Sequence, residues 1–441
     1  MSRMLDLGSI STRQGRIAEL AEKNPQMSFT SLNQHLDEAW LKEAHRLTRK
    51  DGAVGVDGQT AKSYGRALEE NLCELLERAK SGRYRAPAVR RVHIPKGSGS
   101  QTRPIGIPTF EDKVLQRAVV MLLEPIFEHD FEDLSYGFRP GRSAQDALDV
   151  VRKALMEMGG GWVLDADIQG FFSSLPHVVV RETVKQRVRD GVVLRLIGKW
   201  LKAGVSEEGA TSYPKEGTPQ GGVISPLLSN IVLHEVLDSW WTAQVSPRLT
   251  GRAVLVRYAD DFAVVFENKA DAERVLRVLP KRLAKYGLTL HPEKTRLVDM
   301  THPWKGDGKP ETFDFLGFTH FWGKTRRGGF AIKQKTSRKR FARSLKAIGQ
   351  WCRNNRHDPM WKQHRELSRK LRGHYAYFGR RGNRRALDRF LREVQRHWVY
   401  WLRRRSQRTR VTWNWVNEWL AKKLPLPQPK MRPIRRPAAN L

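Results

Sequence analysis

The sequence predicts an α+β chain, and three observations carry that prediction. Runs rich in β-branched and aromatic residues, Val254 to Val256, Phe262 to Phe266 and Trp162 to Ile168, have the length and composition of strands. Stretches with apolar residues three and four apart, above all Leu387 to Trp401, have the helical period. The chain also changes character toward its end: residues 324–441 carry 35 Lys and Arg against 5 Asp and Glu, a net +30 of the whole chain's +34.

Taken in order, residues 1–27 are polar, carry Gly8, Ser9 and Ser11, and read as a loosely ordered leader. From Phe29 the pattern turns helical through Leu32, Leu36, Trp40, Leu41 and His45. Three glycines between Asp51 and Gly58 break it. An amphipathic helix follows from about Ser63 to Lys80, then a strand from Tyr84 to Ile94. Ile94 to Pro108 reads as two strands joined by a Gly/Ser tip, with Lys96 and Arg103 one on each arm. Two such cations suit the oxygens of a triphosphate, although alone this is equally a solvated basic loop. Phe110 to Phe127 is an apolar helix, and the Gly/Pro-punctuated loop Ser135 to Ser143 offers Arg139 and Arg142 to a template backbone.

The chemistry concentrates in Tyr258-Ala259-Asp260-Asp261, set between two strand-like runs, so that two adjacent carboxylates stand at a hairpin tip. Like charges held together call for a cation, and hard divalent ions such as Mg²⁺ take oxygen ligands. A third acid, Asp167, ends the strand Trp162 to Asp167. Two strands and three acids suit a two-metal nucleotidyl-transfer site. Phe172, just past that strand, is placed to exclude a 2′-hydroxyl, although paired aromatics such as Phe171 and Phe172 are more often core. Glu216 to Leu227 reads as a loop closed by a helix start, where Gly221 and Gly222 permit close backbone approach and Gln220 can bond an incoming nucleotide.

Composition narrows the partners. Half of the 14 Trp lie among the arginines of residues 324–441, a mixture that suits stacking and phosphate contact with nucleic acid better than a membrane surface. Cys73 and Cys352 are the only cysteines, which excludes a disulfide framework or a cysteine-rich zinc site within one chain. No uncharged apolar run approaches the roughly 18 residues of a spanning helix, so a cytoplasmic, soluble protein is expected.

In this order, Ile94-Pro95-Lys96 with Arg103-Pro104, Ser135 to Pro140, Asp167-Ile168 with Phe171-Phe172, Gly217 to Gly222, Tyr258 to Asp261, Gly287-Leu288 with Lys294-Thr295, and Phe315 to Phe318 resemble the ordered blocks of a reverse transcriptase. The variant resembled is the bacterial group II intron-encoded reverse transcriptase/maturase, over Phe29 to Pro427. The resemblance implies a right-hand polymerase fold: fingers over 28–164 with an N-terminal extension, a palm over 165–325 built on an antiparallel sheet with flanking helices, and an α-helical thumb/maturase domain X over 326–423, followed by a basic Pro-rich tail over 424–441. It implies RNA-directed DNA synthesis, with two Mg²⁺ (Mn²⁺ as a substitute) held by Asp167, Asp260, Asp261 and the carbonyl of Ile168. Lys96, Arg103, Phe172 and Gln220 would bind the dNTP. Arg139, Arg142, Lys294, Arg372 and Tyr375 would contact template or intron RNA. Implied partners are intron or template RNA, a DNA primer or target, and dNTPs.

Ser173 stands where many relatives carry Asp and Gln145 where they carry His, neither being a proposed metal ligand. The chain ends in a short basic tail where endonuclease-bearing relatives continue, so no DNA cleavage of its own is expected. Two further roles remain open at this level: an RNA-binding splicing cofactor, and a domesticated reverse transcriptase serving repair or phage defence.

Overall fold

The apolar patterns resolve into three sheets flanked by helices in the computed structural model, which describes residues 7–95, 102–207, 209–213, 216–217, 221–304, 310–406, 411–415, 418 and 420–431. Lys96, Gln220 and most of the basic tail lie outside the described residues. The chain divides into two compact units, residues 1–154 with 161–297, and residues 155–160 with 298–441.

In the first unit, strands β1 (Val89–Pro95), β2 (Thr102–Ile107), β4 (Val205–Glu207) and β5 (Ala210–Ser212) form a sheet in the order β2-β1-β4-β5. A second sheet, in the order β6-β7-β3-β8, combines β3 (Trp162–Asp167), β6 (Ala253–Tyr258), β7 (Asp261–Phe266) and β8 (Arg296–Asp299), of which only Arg296 and Leu297 belong to this unit. Its inner strand β7 is buried from Phe262 through Phe266, which explains an unbroken apolar run in place of an alternating one. The helix Phe110–Asp130 is buried along most of its length and forms the spine of this unit's core.

The expected leader is instead a helix, Leu7–Lys23, packed on the Phe110–Asp130 helix. Ile10, Ile17 and Ala21 form a buried stripe, and Gln14 Nε2 donates to the Met121 carbonyl at 3.1 Å. Ser11, one of the small polar residues that suggested disorder, is exposed beside this stripe. Arg187 then ties down the following segment by donating to the carbonyls of Asn24, Pro25 and Met27.

The second unit holds β9 (Phe313–Phe315), β10 (Phe318–Lys324) and β11 (Phe330–Thr336) in the order β11-β10-β9, with helices Arg338–Asn354, Met360–Phe378 and Arg384–Arg403. In the last helix Leu387, Phe390, Leu391, Val394 and Trp398 are buried while Arg385, Arg389, Arg392 and Arg396 are exposed, as the period of the sequence requires. The unit boundary falls between Leu297 and Val298, upstream of the palm limit at 325 expected from sequence, because β9 to β11 pair with one another.

Candidate active site

Antiparallel pairing sets Asp167 of β3 opposite Asp261 of β7, and Tyr258 of β6 opposite the same residue, so the hairpin tip carries its carboxylates beside the third. Ala259, at the turn, has φ of +57°. A non-glycine residue there carries strain of about 1–2 kcal/mol, so surrounding contacts must hold it. They are supplied from beneath by Arg257, whose fully buried guanidinium pairs with the fully buried Asp238. It donates to Asp238 Oδ1 at 2.7 Å, to Asn230 Oδ1 at 2.9 Å and to the Ala259 carbonyl at 3.2 Å. Asn230 in turn donates to the Gly137 carbonyl at 2.7 Å. A Cβ at Gly137 would meet the Ala259 nitrogen at 2.4 Å, so only glycine lets the Ser135–Ser143 loop seat against the turn.

That seating corrects one expectation. Arg139 is buried, pairs with Glu128 at 2.7 Å and donates to the carbonyls of Glu132 and Ser135 at 2.6 and 3.0 Å. Its donors are spent on closing the loop, so it is a structural arginine and no template contact. Arg142 is half-buried, pairs with the exposed Asp133 at 2.5 Å and lies over the Tyr136 ring.

Lys294 is likewise placed differently from expectation. The chain after the helix Lys269–Ala284 returns alongside the end of β3, with Ile168 bridging Leu290 and His291 N donating to the Asp167 carbonyl at 2.8 Å. This brings the Lys294 ammonium directly onto the Asp167 carboxylate, where it neutralises an acid of the site rather than meeting RNA. Arg296 approaches Asp165, one pleat back on the same strand, at 3.5 Å.

The acids perturb one another. Withdrawal from water, then the Asp167 charge, raises the Asp260 carboxyl above its ordinary value, against the nearby cations Arg103 and Lys294. Asp261 keeps a solvent-facing side, yet burial within the cluster and the charges of Asp260 and Asp167 push it up to about 7. Among the described residues no three His, Cys, Asp or Glu side chains close into a group that could hold a metal ion, and Lys294 occupies one of the three carboxylates. The donor set nevertheless fits divalent cations: the Asp260 and Asp261 carboxyls, inclined to hold protons by burial and then by neighbouring negative charge, release them when a cation arrives.

Five residues beyond Asp167, Phe172 is half-buried and packs edge-on against Phe171 at 5.4 Å between ring centres. Behind it sits Gly217, with φ of +90° and no room for a Cβ, which would lie 2.9 Å from the Ser173 carbonyl and 3.0 Å from that of Phe172. At the other end of the Gly-rich loop, a Cβ on Gly221 would stand 2.4 Å from the Gly106 carbonyl of β2. Arg103 is exposed on the same strand.

Sequence reasoning missed the support of that loop. Gln116 Oε1 accepts from Val223 N at 2.7 Å and Ile224 N at 3.3 Å, while its Nε2 donates to Asp112 Oδ2 at 3.0 Å. The other Asp112 oxygen accepts from Trp200 Nε1 at 2.7 Å and from the Tyr84 hydroxyl. Burial pushes the Asp112 carboxyl up to about 6 against these donors. The available signal was an acid and an amide one helical turn apart inside an apolar helix, where a buried polar group demands partners.

In the second unit Tyr375, expected to meet RNA, is 4 % exposed. Facing the packed side of its helix, it is core, and the correction follows from reading an aromatic without its helical phase. Arg372, three residues earlier, is exposed.

Residues 94–320 match the family described as reverse transcriptase (RNA-dependent DNA polymerase). Protein YkfC of Escherichia coli K12 is 34 % identical, over 77 % of this chain and 96 % of that protein. The group II intron-encoded protein LtrA of Lactococcus lactis subsp. cremoris is 37 % identical over 50 % of this chain, a match that spans 37 % of LtrA. Nuclear intron maturase 2, mitochondrial, of Arabidopsis thaliana is 28 % identical over 31 % of this chain and 24 % of that protein. With its ordered motifs, its paired acid-bearing strands and these similarities, the chain belongs to the reverse transcriptases, RNA-directed DNA polymerases, in their group II intron-type reverse transcriptase/maturase branch.

Proposed function

We propose that the chain copies RNA into DNA at the cluster of Asp167, Asp260 and Asp261, and that its basic second unit binds intron RNA as a maturase. The observation that carries the first part is the register of β3 against β7, which sets Asp167 opposite Asp261 next to Asp260. In the reaction a primer 3′-hydroxyl attacks the α-phosphate of a deoxynucleoside triphosphate in line, and pyrophosphate leaves. Asp167, Asp260, Asp261 and the Ile168 carbonyl would hold Mg²⁺, which supplies charge stabilisation for the attacking and leaving oxygens. Arg103, close enough to Asp260 to oppose the rise in its pKa, would grip the triphosphate with Lys96. Gln220 would position the nucleotide, next to Gly221, which packs against the Gly106 carbonyl of β2. Phe172 would bar the 2′-hydroxyl. Lys294 would yield Asp167 when cations enter.

The maturase reading rests on the exposed row Arg385, Arg389, Arg392 and Arg396, backed by a buried apolar face. Such a face presents fixed cations to phosphates, and suits a thumb with domain X over 326–423. The likeness to an Arabidopsis intron maturase agrees with it. Among the described residues no helix is long and apolar enough to cross a membrane.

The test is primer extension on an RNA template. Asp260→Ala/Asp261→Ala should abolish cDNA synthesis and leave RNA binding nearly unchanged; extension by the double variant sinks the polymerase assignment to this site. A maturase should also prefer its cognate intron over an unrelated structured RNA of equal length and accelerate splicing at low Mg²⁺. Equal affinity with no splicing effect removes that second role.

A further inference from the structure

A cavity of about 560 Å³ opens in the first unit between the segment that enters β1 and the helix Gly191–Leu201. Arg85, Arg181, Arg195, Lys199 and Lys202 line it, and no Asp or Glu among the described residues does. Tyr213, also lining it, is 73 % exposed. None of these side chains belongs to the acid cluster or to the Gly-rich loop that serves it.

Two of the cations are fixed by the backbone. Lys199 Nζ donates to the Gly82 carbonyl at 2.7 Å and to that of Tyr84, and Arg195 donates to the Lys80 carbonyl at 3.1 Å. These carbonyls hold the positive groups in place without neutralising them. Arg85, Arg181 and Lys202 are exposed, and no ion pair among the described residues engages them. Burial, and then the charges of Arg195 and Arg85, lower the Lys199 ammonium from its ordinary value.

We propose that this cavity is a second site for unpaired RNA, taking successive phosphates on Arg85, Arg181 and Lys202 and stacking a base on Tyr213. Five cations without a counter-ion exceed what a single phosphate neutralises, which favours a strand over a free anion. An exposed aromatic ring beside them offers a stacking face that suits an unpaired base and is out of reach for the paired bases of a duplex. The chemical class follows from the family's RNA substrate, but the site lies outside the proposed polymerase machinery and stands or falls separately from it.

The full chain is irradiated with a short unstructured RNA carrying 5-bromouridine, and crosslinked peptides are mapped. Wild type should crosslink at Tyr213, and Arg85→Gln/Arg181→Gln/Lys202→Gln should lower that crosslink at least about tenfold while primer extension persists. The log-log salt slope of affinity for the same RNA should fall by about 2, three contacts at about 0.7 each. Lys202→Glu, a single exposed change, should lower the crosslink too and guards against misfolding of the triple variant. Absence of a Tyr213 crosslink in wild type, or an unchanged crosslink in both variants, overturns the proposal. Competition by inorganic triphosphate as effective as by unlabelled RNA at equal phosphate also overturns it, since the ligand would then be a small anion. Failure of wild type to extend a primer would count against the polymerase reading alone.

Discussion

Arg257→Met removes the cation beneath the Tyr258–Asp261 turn and leaves Asp238 buried with no cation but the His234 ring 4.0 Å away, which burial holds toward its neutral form. The Arg257 and Asp238 side chains are fully buried, and an uncompensated buried charge costs about 3–5 kcal/mol, a large part of the roughly 5–15 kcal/mol that holds a domain together. Asp238→Ala strands the guanidinium and should cost about the same. In Arg257→Met/Asp238→Leu both charges are gone, and most of the lost stability should return, because apolar replacement of a whole buried pair is close to neutral. Activity should not return with it. The Ala259 carbonyl loses its donor while the residue stays at φ of +57°, so the position of Asp260 and Asp261 is no longer enforced. A hydrogen bond from a charged donor is worth about 1.5–3 kcal/mol, which as lost positioning slows the chemical step roughly 10- to 150-fold. Urea unfolding of the single and double variants, beside single-turnover primer extension on an RNA template, separates the two effects. Single variants that lose less than about 1 kcal/mol, or a double variant that extends at the wild-type rate, would refute the reasoning.

Phe172→Ala should raise ribonucleotide incorporation relative to deoxynucleotide; an unchanged ratio would assign the ring to packing against Phe171 alone. Gln116→Leu leaves the Val223 and Ile224 amides without their acceptor, at a stability cost of about 1–3 kcal/mol, and should raise KM for dNTP several-fold with RNA affinity intact. An unaltered KM would break the link from Gln116 to the nucleotide loop. Because the Asp112 carboxyl is raised in the fold to about 6, its contribution to stability is fully present below about pH 4 and is lost as pH rises through about 6, a fall of roughly 3 kcal/mol. Asp112→Asn, which does not titrate, should lack that fall, and identical pH profiles from chemical denaturation would remove Asp112 as its source.

What was legible in the sequence and what was not divides on sequence distance. The three acids could be read because each lies in or beside a short apolar run whose strand character is local, and because Asp260 and Asp261 adjoin in the chain. The helix Arg384–Arg403 was legible for the same reason, its period being contained within twenty residues. The frame that holds the acids was not. Arg257 meets Asp238 and Asn230, 19 and 27 residues away, and Gln116 meets Val223 across 107. A polar side chain inside an apolar run gives notice that it needs a partner without naming it. The misread residues fail in the complementary way. Arg139 and Tyr375 have the chemistry of RNA contacts, but their burial was decided by the loop seated on Gly137 and by the phase of the helix Met360–Phe378, neither of which residue type records. Asp167 shows both sides at once: its place on the strand was readable, while the Lys294 that occupies it is brought there by the return of the chain alongside β3, 127 residues later. Substitutions at the acids therefore test the chemistry that the motifs advertise, whereas substitutions at Arg257, Asp238 and Gln116 test whether geometry set from beneath is what makes that chemistry run.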